Sequence, residues 1–265
     1  VIQGITELLP VSSTAHMRVV PALLGWQDPG SAFSAAMQLA ALAAVVSYFW
    51  RDVRQVTTGS IGAVRRGDYN DPWFKLAVAI VLATIPIGIA GLALSSTLNS
   101  CNSPLRGLMV IGISCVVMAV LLAVAEVRAR HTRDMGQMRL RDALIVGVAQ
   151  IGALIPGVSR SGSTLTAALF LNFKREEAAR FSFLLGLPAI ALAGLKELWV
   201  LLHADMPAHA WPHLLFGLVV ASISAFFAIW GLMKFLERFS TWPFVIYRAL
   251  LGVFLIVAVS TGLLS

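Results

Sequence analysis

The chain is 265 residues long, 58% apolar and only 12% charged, with a mean hydropathy of +0.83, whereas an ordinary soluble domain carries roughly a quarter charged residues. This excludes a soluble globular domain and marks an integral membrane protein. The net charge of +7 is spread over short segments between apolar runs, so it reads as a topology signal and as contact with lipid head groups, with no nucleic-acid-binding face. Cys101 in a loop and Cys115 inside a span make a poor disulfide pair, and neither has metal-ligand company. Residue 1 is a valine inside an apolar stretch, so further residues are expected before it.

Val1 to Gly25 is apolar but broken by Pro10 and by Ser12, Ser13 and Thr14, with Glu7, His16 and Arg18 inside it. It reads as a helix, a turn and a second helix that dip into the bilayer and return, which is allowed only where the bent backbone is buried in protein or lines water. Pro29 to Trp50 is free of charge and long enough to span. Arg51 to Lys75 is a polar connection. Leu76 to Leu105 contains a helix with Pro86 and then a polar tip, Ser95 to Pro104, and Gly107 to Ala125 is the next span. Glu126 to Asp142 is an arginine-rich connection, and a second broken hairpin follows as far as Lys174. The remaining spans are Phe181 to Leu202, with a kink expected at Pro188, Leu214 to Met233, and Phe244 to Leu264.

Positive residues collect on the cytoplasmic side. Arg51 to Lys75, Glu126 to Asp142, Lys174 to Arg180 and Lys234 to Arg238 therefore go inside, and the loops Gln27 to Ser31, Ser95 to Pro104 and His203 to Pro212 go outside. Threaded this way, the first hairpin enters from outside and the second from inside, each followed by three spans. The expected fold is thus an all-α integral membrane protein of six transmembrane helices plus two re-entrant helix-turn-helix hairpins in an inverted-topology repeat, one domain over 1–265 with repeats over about 1–125 and 143–265. Gln3 to Ser13 resembles Gln150 to Ser159 weakly, in keeping with such a repeat.

From Ala143 to Phe173 the only charged side chain is Arg160. A guanidinium at membrane depth costs about 2.5 kcal/mol or more, so it needs an anionic partner or a wet cavity. Pro156 and Gly157 stop the preceding helix, and Ser159, Ser161, Ser163 and Thr164 stand just before a new one. Free amides at a helix start plus an arginine fork suit a phosphate. The first tip offers Glu7, Ser12, Ser13, Thr14 and His16, so the two tips together resemble a phosphoryl-transfer site. In that site Arg160 would hold the phosphate oxygens, Glu7, with Gln3, would bind a divalent cation or act as base, Ser13 or water would attack, and His16 would carry a proton. Glu7 as a plain counter-ion to Arg160 and His16 as a structural residue are the bland alternatives.

At these residues the chain resembles a known family. Gln3-Gly-Ile-Thr-Glu7-Leu-Leu-Pro10-Val-Ser12-Ser13-Thr14-Ala-His16 is similar to the motif (E/Q)GxTEFLPVSSTGH, and Pro156-Gly-Val-Ser159-Arg160-Ser161-Gly-Ser-Thr164 to the motif PGxSRSxxT, of the undecaprenyl-diphosphate phosphatases of the bacitracin-resistance type. The likeness extends to Ser182–Pro188 and to the FVIYR run at Phe244–Arg248. It implies a bacterial inner-membrane enzyme that takes a polyprenyl diphosphate lipid, removes its terminal phosphate for cell-wall synthesis, depends on Mg2+ or Ca2+, and faces the periplasm or outer side. By the same resemblance Glu7 is the essential glutamate, Ser13 the candidate nucleophile, His16 the motif histidine, and Arg160 with Ser159 and Thr164 the phosphate-binding group. The chain departs from the pattern at Leu8, at Ala15 and at Gln3, which is neutral where a second carboxylate is frequent. A transporter or lipid flippase for an anionic substrate is the rival reading, because broken helices meeting at a midplane are also what transporters use. A homodimer stays open.

Overall fold

The computed structural model describes residues 1–26, 37–94, 107–203 and 210–264, and among them it is all helical. The predicted outer loops Gln27 to Ser31 and Ser95 to Pro104, Cys101, the start of the first span and residues 204–209 of the third outer loop lie outside these residues. In chain order the helices are α1 (Ile2–Leu8), α2 (Ser13–Leu24), α3 (Gln38–Tyr48), α4 (Trp50–Arg66), α5 (Pro72–Ala93), α6 (Leu108–Arg128), α7 (Leu140–Gln150), α8 (Arg160–Phe170), α9 (Arg175–His203), α10 (Ala210–Leu236) and α11 (Trp242–Ser260), with short 3-10 turns at Met135–Gln137 and Ile151–Leu154.

Five of these, α5, α6, α9, α10 and α11, are long and apolar enough to cross a bilayer, and α3 is a shorter apolar helix. Their outward faces carry large apolar side chains, among them Ile89, Leu92, Phe216 and Leu250, each more than 60% exposed. Continuous apolar exposure of this extent fits a lipid solvent, and the chain is a multi-pass membrane protein. The predicted polar connection after Tyr48 is instead mostly helix: α4 starts directly after α3 at Phe49 and ends at Gly67 in the left-handed region, with φ of 68°. Its Ala63 and Asp52 face inward while Arg51, Arg54 and Arg65 point out, an amphipathic pattern that a scan for unbroken apolar runs does not register. The α9 helix begins six residues before the expected span and runs on through Pro188.

Small residues bring the helices together, as close packing without a hydrophobic drive between them requires. The longest interface joins α6 to α11. There Gly112 and Gly252 face one another, so that a Cβ on Gly252 would lie 2.7 Å from the Gly112 carbonyl oxygen and a Cβ on Gly112 would lie 3.1 Å from that of Gly252. The two hairpins use the same device. Gly4 of α1 abuts the Ala221 backbone of α10, and Gly147 of α7 abuts the Ala83 backbone of α5.

Ion pairs gather at the end bearing the basic connections. The Glu126 carboxylate at the end of α6 accepts from Arg175 Nε at 2.8 Å and from Thr241 Oγ1 at 2.8 Å, tying together the ends of α6, α9 and α11. Asp52 of α4 pairs with Arg180 of α9. Arg133 stacks over Phe173 at 4.3 Å, pairs with Asp142 and donates to the Leu171 carbonyl at 3.0 Å, which docks the connection after α6 onto the end of α8.

Two outcomes test this packing. Gly112→Val should lower the stability of the purified protein by about 1–3 kcal/mol through overpacking against α11, seen as an earlier thermal melt in detergent, and an unchanged melt would mean the two helices do not meet there. Burial opposes the charged form of Asp142, but the bonds from Arg133 and from the Arg139 amide outweigh it and hold the carboxyl below its ordinary value. Its folded pKa is therefore the lower one, so its contribution is whole above the unfolded value and vanishes as pH falls through the folded one. The melting gap between wild type and Asp142→Asn should accordingly be largest at neutral pH and close in acid below the ordinary aspartate range; a gap that persists there would exclude the charge as its source.

Candidate active site

Two turns meet inside the helix bundle. The first joins α1 to α2 across Leu9–Ser12, and the second joins the Ile151–Leu154 turn to α8 across Ile155–Ser159. Each ends in a serine that caps the following helix: the Ala15 amide donates to Ser12 Oγ at 3.4 Å, and the Gly162 amide donates to Ser159 Oγ at 3.2 Å. Both serines have φ of 70°, a region that residues other than glycine enter only when the surroundings enforce it and that clusters at functional sites.

The tips are bonded to each other. The Gly157 amide donates to Thr14 Oγ1 at 3.1 Å, and Ser161 Oγ donates to the Leu9 carbonyl at 3.1 Å. Gly157 itself, at φ of 95°, sits so close to α6 that a Cβ would lie 2.7 Å from the Ile111 carbonyl oxygen. The predicted site residues Glu7, Ser12, Ser13, Thr14, His16, Ser159, Arg160, Ser161 and Thr164 are thereby drawn to one place, although they play unequal parts.

Ser13 Oγ donates to Glu7 Oε2 at 2.7 Å, and Arg160 Nη2 stands 3.9 Å from Glu7 Oε1. The carboxylate's tight bond is to the serine, and the arginine stands at the outer limit of an ion pair. The other arm of Arg160 donates to the Gly186 carbonyl of α9 at 3.0 Å, and a Cβ on Gly186 would lie 2.8 Å from that arm. The amides of Ser159, Arg160 and Ser161 make no bond to protein among the described residues. Three such amides at the start of an eleven-residue helix, beside a guanidinium, make a donor set suited to an anion.

Other hydroxyls are spent within the protein. Thr164 Oγ1 donates to the Arg160 carbonyl at 2.8 Å and Ser163 Oγ to the same oxygen at 3.0 Å, so both brace the first turn of α8. His16 Nδ1 lies 2.7 Å from the Ser12 carbonyl oxygen, which can only accept, so Nδ1 carries a proton; the neutral ring's Nε2 then accepts from the Tyr247 hydroxyl at 2.6 Å. Gln3 is buried on α1, one turn before Glu7. Glu7 is the one carboxylate at the tips, and the described residues hold no cluster of three metal-ligating His, Cys, Asp or Glu side chains.

Reading the tips alone misses the residue beneath them. Arg248 of α11 is 1% exposed and donates to the carbonyls of Pro10 at 3.2 Å, Gly157 at 2.8 Å and Val158 at 2.9 Å. The signal was an arginine in the run Tyr247-Arg248-Ala-Leu-Leu-Gly252, inside an otherwise apolar span, the same anomaly that drew attention to Arg160.

The helices thus define a multi-pass membrane protein whose two bent segments converge on one carboxylate, the partly buried guanidinium of Arg160 and the buried one of Arg248. The family model described as Bacitracin resistance protein BacA matches residues 1–254, and the chain belongs to that family. It is 73% identical over 263 residues to the protein named Undecaprenyl-diphosphatase 2 of Mesorhizobium japonicum, covering 99% of this chain and 100% of that one. It is 51% identical over 263 residues to the Undecaprenyl-diphosphatase of Gloeobacter violaceus, covering 99% and 90% of the two chains, and 49% identical over 265 residues to that of Synechococcus elongatus, covering 100% and 92%.

Gly157→Ala tests the geometry of the second tip. Forcing a side chain into that φ and against α6 should cost about 1–3 kcal/mol and disturb the amides two residues on, so the variant should melt earlier in detergent and lose most phosphate release. A variant matching wild type in both would show that the close approach is dispensable.

Proposed function

We propose that this protein is an undecaprenyl-diphosphatase, converting undecaprenyl diphosphate to undecaprenyl phosphate and inorganic phosphate and so returning the lipid carrier to cell-wall synthesis. The observation that carries this reading is Ser13 Oγ bonded to Glu7 at 2.7 Å with Arg160 on the carboxylate's other side: a hydroxyl, a base and a phosphate-binding cation converge where passive anion binding would need the cation alone. Names borne by relatives of the same length and up to 73% identity point the same way.

The terminal phosphate occupies the seat formed by Arg160 and the amides of Ser159, Arg160 and Ser161. Glu7 takes the proton of Ser13, whose Oγ attacks the terminal phosphorus; the bond from that phosphorus to the bridging oxygen breaks and undecaprenyl phosphate leaves with the bridging oxygen. Glu7 gives that proton up to the departing undecaprenyl phosphate, and the restored carboxylate then deprotonates a water that attacks the phosphoserine phosphorus; the bond from phosphorus to Ser13 Oγ breaks, Oγ takes the proton back from Glu7, and inorganic phosphate leaves. The guanidinium and the amides stabilise the charge that gathers on the equatorial oxygens. His16, with both nitrogens engaged, holds the Ser12 carbonyl and thus the turn that aims Ser13.

A hard divalent cation takes oxygen ligands and commonly binds through one or two carboxylates plus substrate phosphates. One carboxylate at the tips fits that pattern. Glu7, helped by the Gln3 side chain, would hold Mg2+ or Ca2+, which when bound supplies positive charge to the diphosphate.

The arrangement in the membrane belongs to the same proposal: six transmembrane helices with α3 as the short remainder of the first, two re-entrant hairpins entering from opposite faces, and two inverted halves, about 1–125 and 143–265, of one domain in the bacterial inner membrane, with the site open to the periplasm or outer side. Matched packing supports it: α1 meets α10 as α7 meets α5, each through a glycine, α6 meets α11 through two more, and Ser12 and Ser159 share one cap conformation. That symmetry also suits a transporter, so turnover in detergent, without a second compartment, is the decisive measurement.

Purified protein should release phosphate from undecaprenyl or farnesyl diphosphate in detergent. Arg160→Lys should lower kcat by about 100-fold or more, since a point charge cannot replace the fork, whereas wild-type rates would leave charge alone as its contribution. Ser13→Ala should abolish turnover, and substantial remaining activity would transfer the nucleophile's part to water. EDTA should stop the reaction and Mg2+ or Ca2+ restore it; full activity with chelator present would remove the cation from Glu7.

A further inference from the structure

Tyr247 and Arg248 are consecutive residues of α11 whose side chains bond to the two tips. Arg248 is almost fully buried and has no carboxylate partner among the described residues; its Nη1 donates to the backbone carbonyl of Pro10 on one tip and its Nη2 to those of Gly157 and Val158 on the other, while its Nε makes no bond among the described residues. Across a trans peptide the N–H points away from the C=O. Fixing the Val158 carbonyl toward Arg248 therefore turns the Ser159 amide, the first of the three unbonded amides of the anion seat, away from α11 and into that seat. The bond to Pro10 sets the height of the first tip against the second. A Cβ on Gly162 would lie 2.5 Å from Arg248 Nη1, so the first turn of α8 is built to admit this guanidinium.

Tyr247 does the matching work on the other side. Its ring lies edge to edge with that of His16, the centroids 5.6 Å apart and the planes within 4° of parallel, and its hydroxyl lies 2.6 Å from Nε2. Holding Nε2 as the acceptor leaves Nδ1 as the donor to the Ser12 carbonyl, which keeps Ser12 at its positive φ and Ser13 facing Glu7.

We propose that Tyr247 and Arg248 form a single positioning element, a frame on α11 that sets the spacing and aim of the two tips for the transition state without touching substrate. The proposal rests on the phosphatase reading. Its distinguishing property is that an inactive fraction lowers the rate but leaves the inhibition constant of the remaining enzyme unchanged, whereas a mis-aimed seat weakens binding of a transition-state analogue.

The test is inhibition by orthovanadate of phosphate release by full-length protein in detergent, for wild type, Arg248→Lys and Tyr247→Phe. Lysine retains a charge but reaches fewer carbonyls, and its vanadate inhibition constant should rise about tenfold or more while KM changes little, because lost alignment acts on the transition state. Phenylalanine keeps the ring and drops only the hydroxyl, and should raise the constant by about threefold or more by releasing the His16 tautomer. A wild-type constant in either folded variant overturns the proposal, and if Arg248→Lys is not recovered folded, Tyr247→Phe alone decides. Wild-type protein that releases no phosphate would instead sink the phosphatase reading, so the two failures are told apart.

Discussion

Bent backbone buried inside a helix bundle must find its hydrogen-bond partners within the protein, and in this protein that constraint is met by the hydrogen bonds that join the two tips. Each unsatisfied peptide group there costs several kcal/mol, and the turns Leu9–Ser12 and Ile155–Ser159 expose many. The Leu9 carbonyl takes Ser161 Oγ, the Gly157 amide gives to Thr14, and the carbonyls of Pro10, Gly157 and Val158 take Arg248. Neither tip is satisfied alone. The requirement that makes each turn tolerable is the one that places Ser13 and Glu7 beside Arg160, so stability and active-site geometry have a common origin.

The exceptions to that satisfaction are as informative as the rule. The amides of Ser159, Arg160 and Ser161 stay open although the carbonyls around them are bonded. They stay open because the first amides of a helix have no intrahelical acceptor, and the cap from which α8 begins, Ser159, stands at φ of 70°, a conformation costing of order 1–3 kcal/mol. The same conformation at Ser12 begins α2. Strain at both caps, held by the bonds between tips and by Tyr247 and Arg248, is what a preorganised anion seat requires: donors fixed before the charge arrives.

Much of this was legible in the sequence because a membrane punishes anomalies. A lone Arg160 in an apolar run, a Pro-Gly stop and a hydroxyl-rich helix start were enough to locate the second tip, and Glu7 with Ser13 the first. The spans were legible as charge-free runs for α5, α6 and α10, and as long apolar runs interrupted by Lys196 and Glu197 in α9 and by Arg248 in α11. Illegible was α4, whose amphipathic period is hidden in a segment of mixed charge, and so was the division of labour among the hydroxyls. Thr164 and Ser161 look alike in a motif, yet Thr164 braces the helix that begins at Arg160 while Ser161 reaches across to Leu9; only three-dimensional proximity separates them. Arg248 was visible as an anomaly but not interpretable, because its partners are backbone carbonyls 90 to 238 residues away in the chain, and a carbonyl leaves no mark in composition.

The charge count around the tips then explains why the site would seek a diphosphate. Two guanidiniums, Arg160 and Arg248, stand against the single carboxylate of Glu7, and the nearest of them only approaches it to 3.9 Å. A purely structural ion-pair site would match its charges, because an unmatched buried charge is strongly destabilising. Here the excess is positive, and open amides add to it at the start of α8. The dipoles of Pro10, Gly157 and Val158 carry Arg248, which leaves Arg160 as the cation whose neutralisation is incomplete until an anion arrives. Binding a diphosphate head group therefore relieves the protein's own electrostatic imbalance, and the relief is greatest when charge on the phosphoryl oxygens peaks, in the transition state.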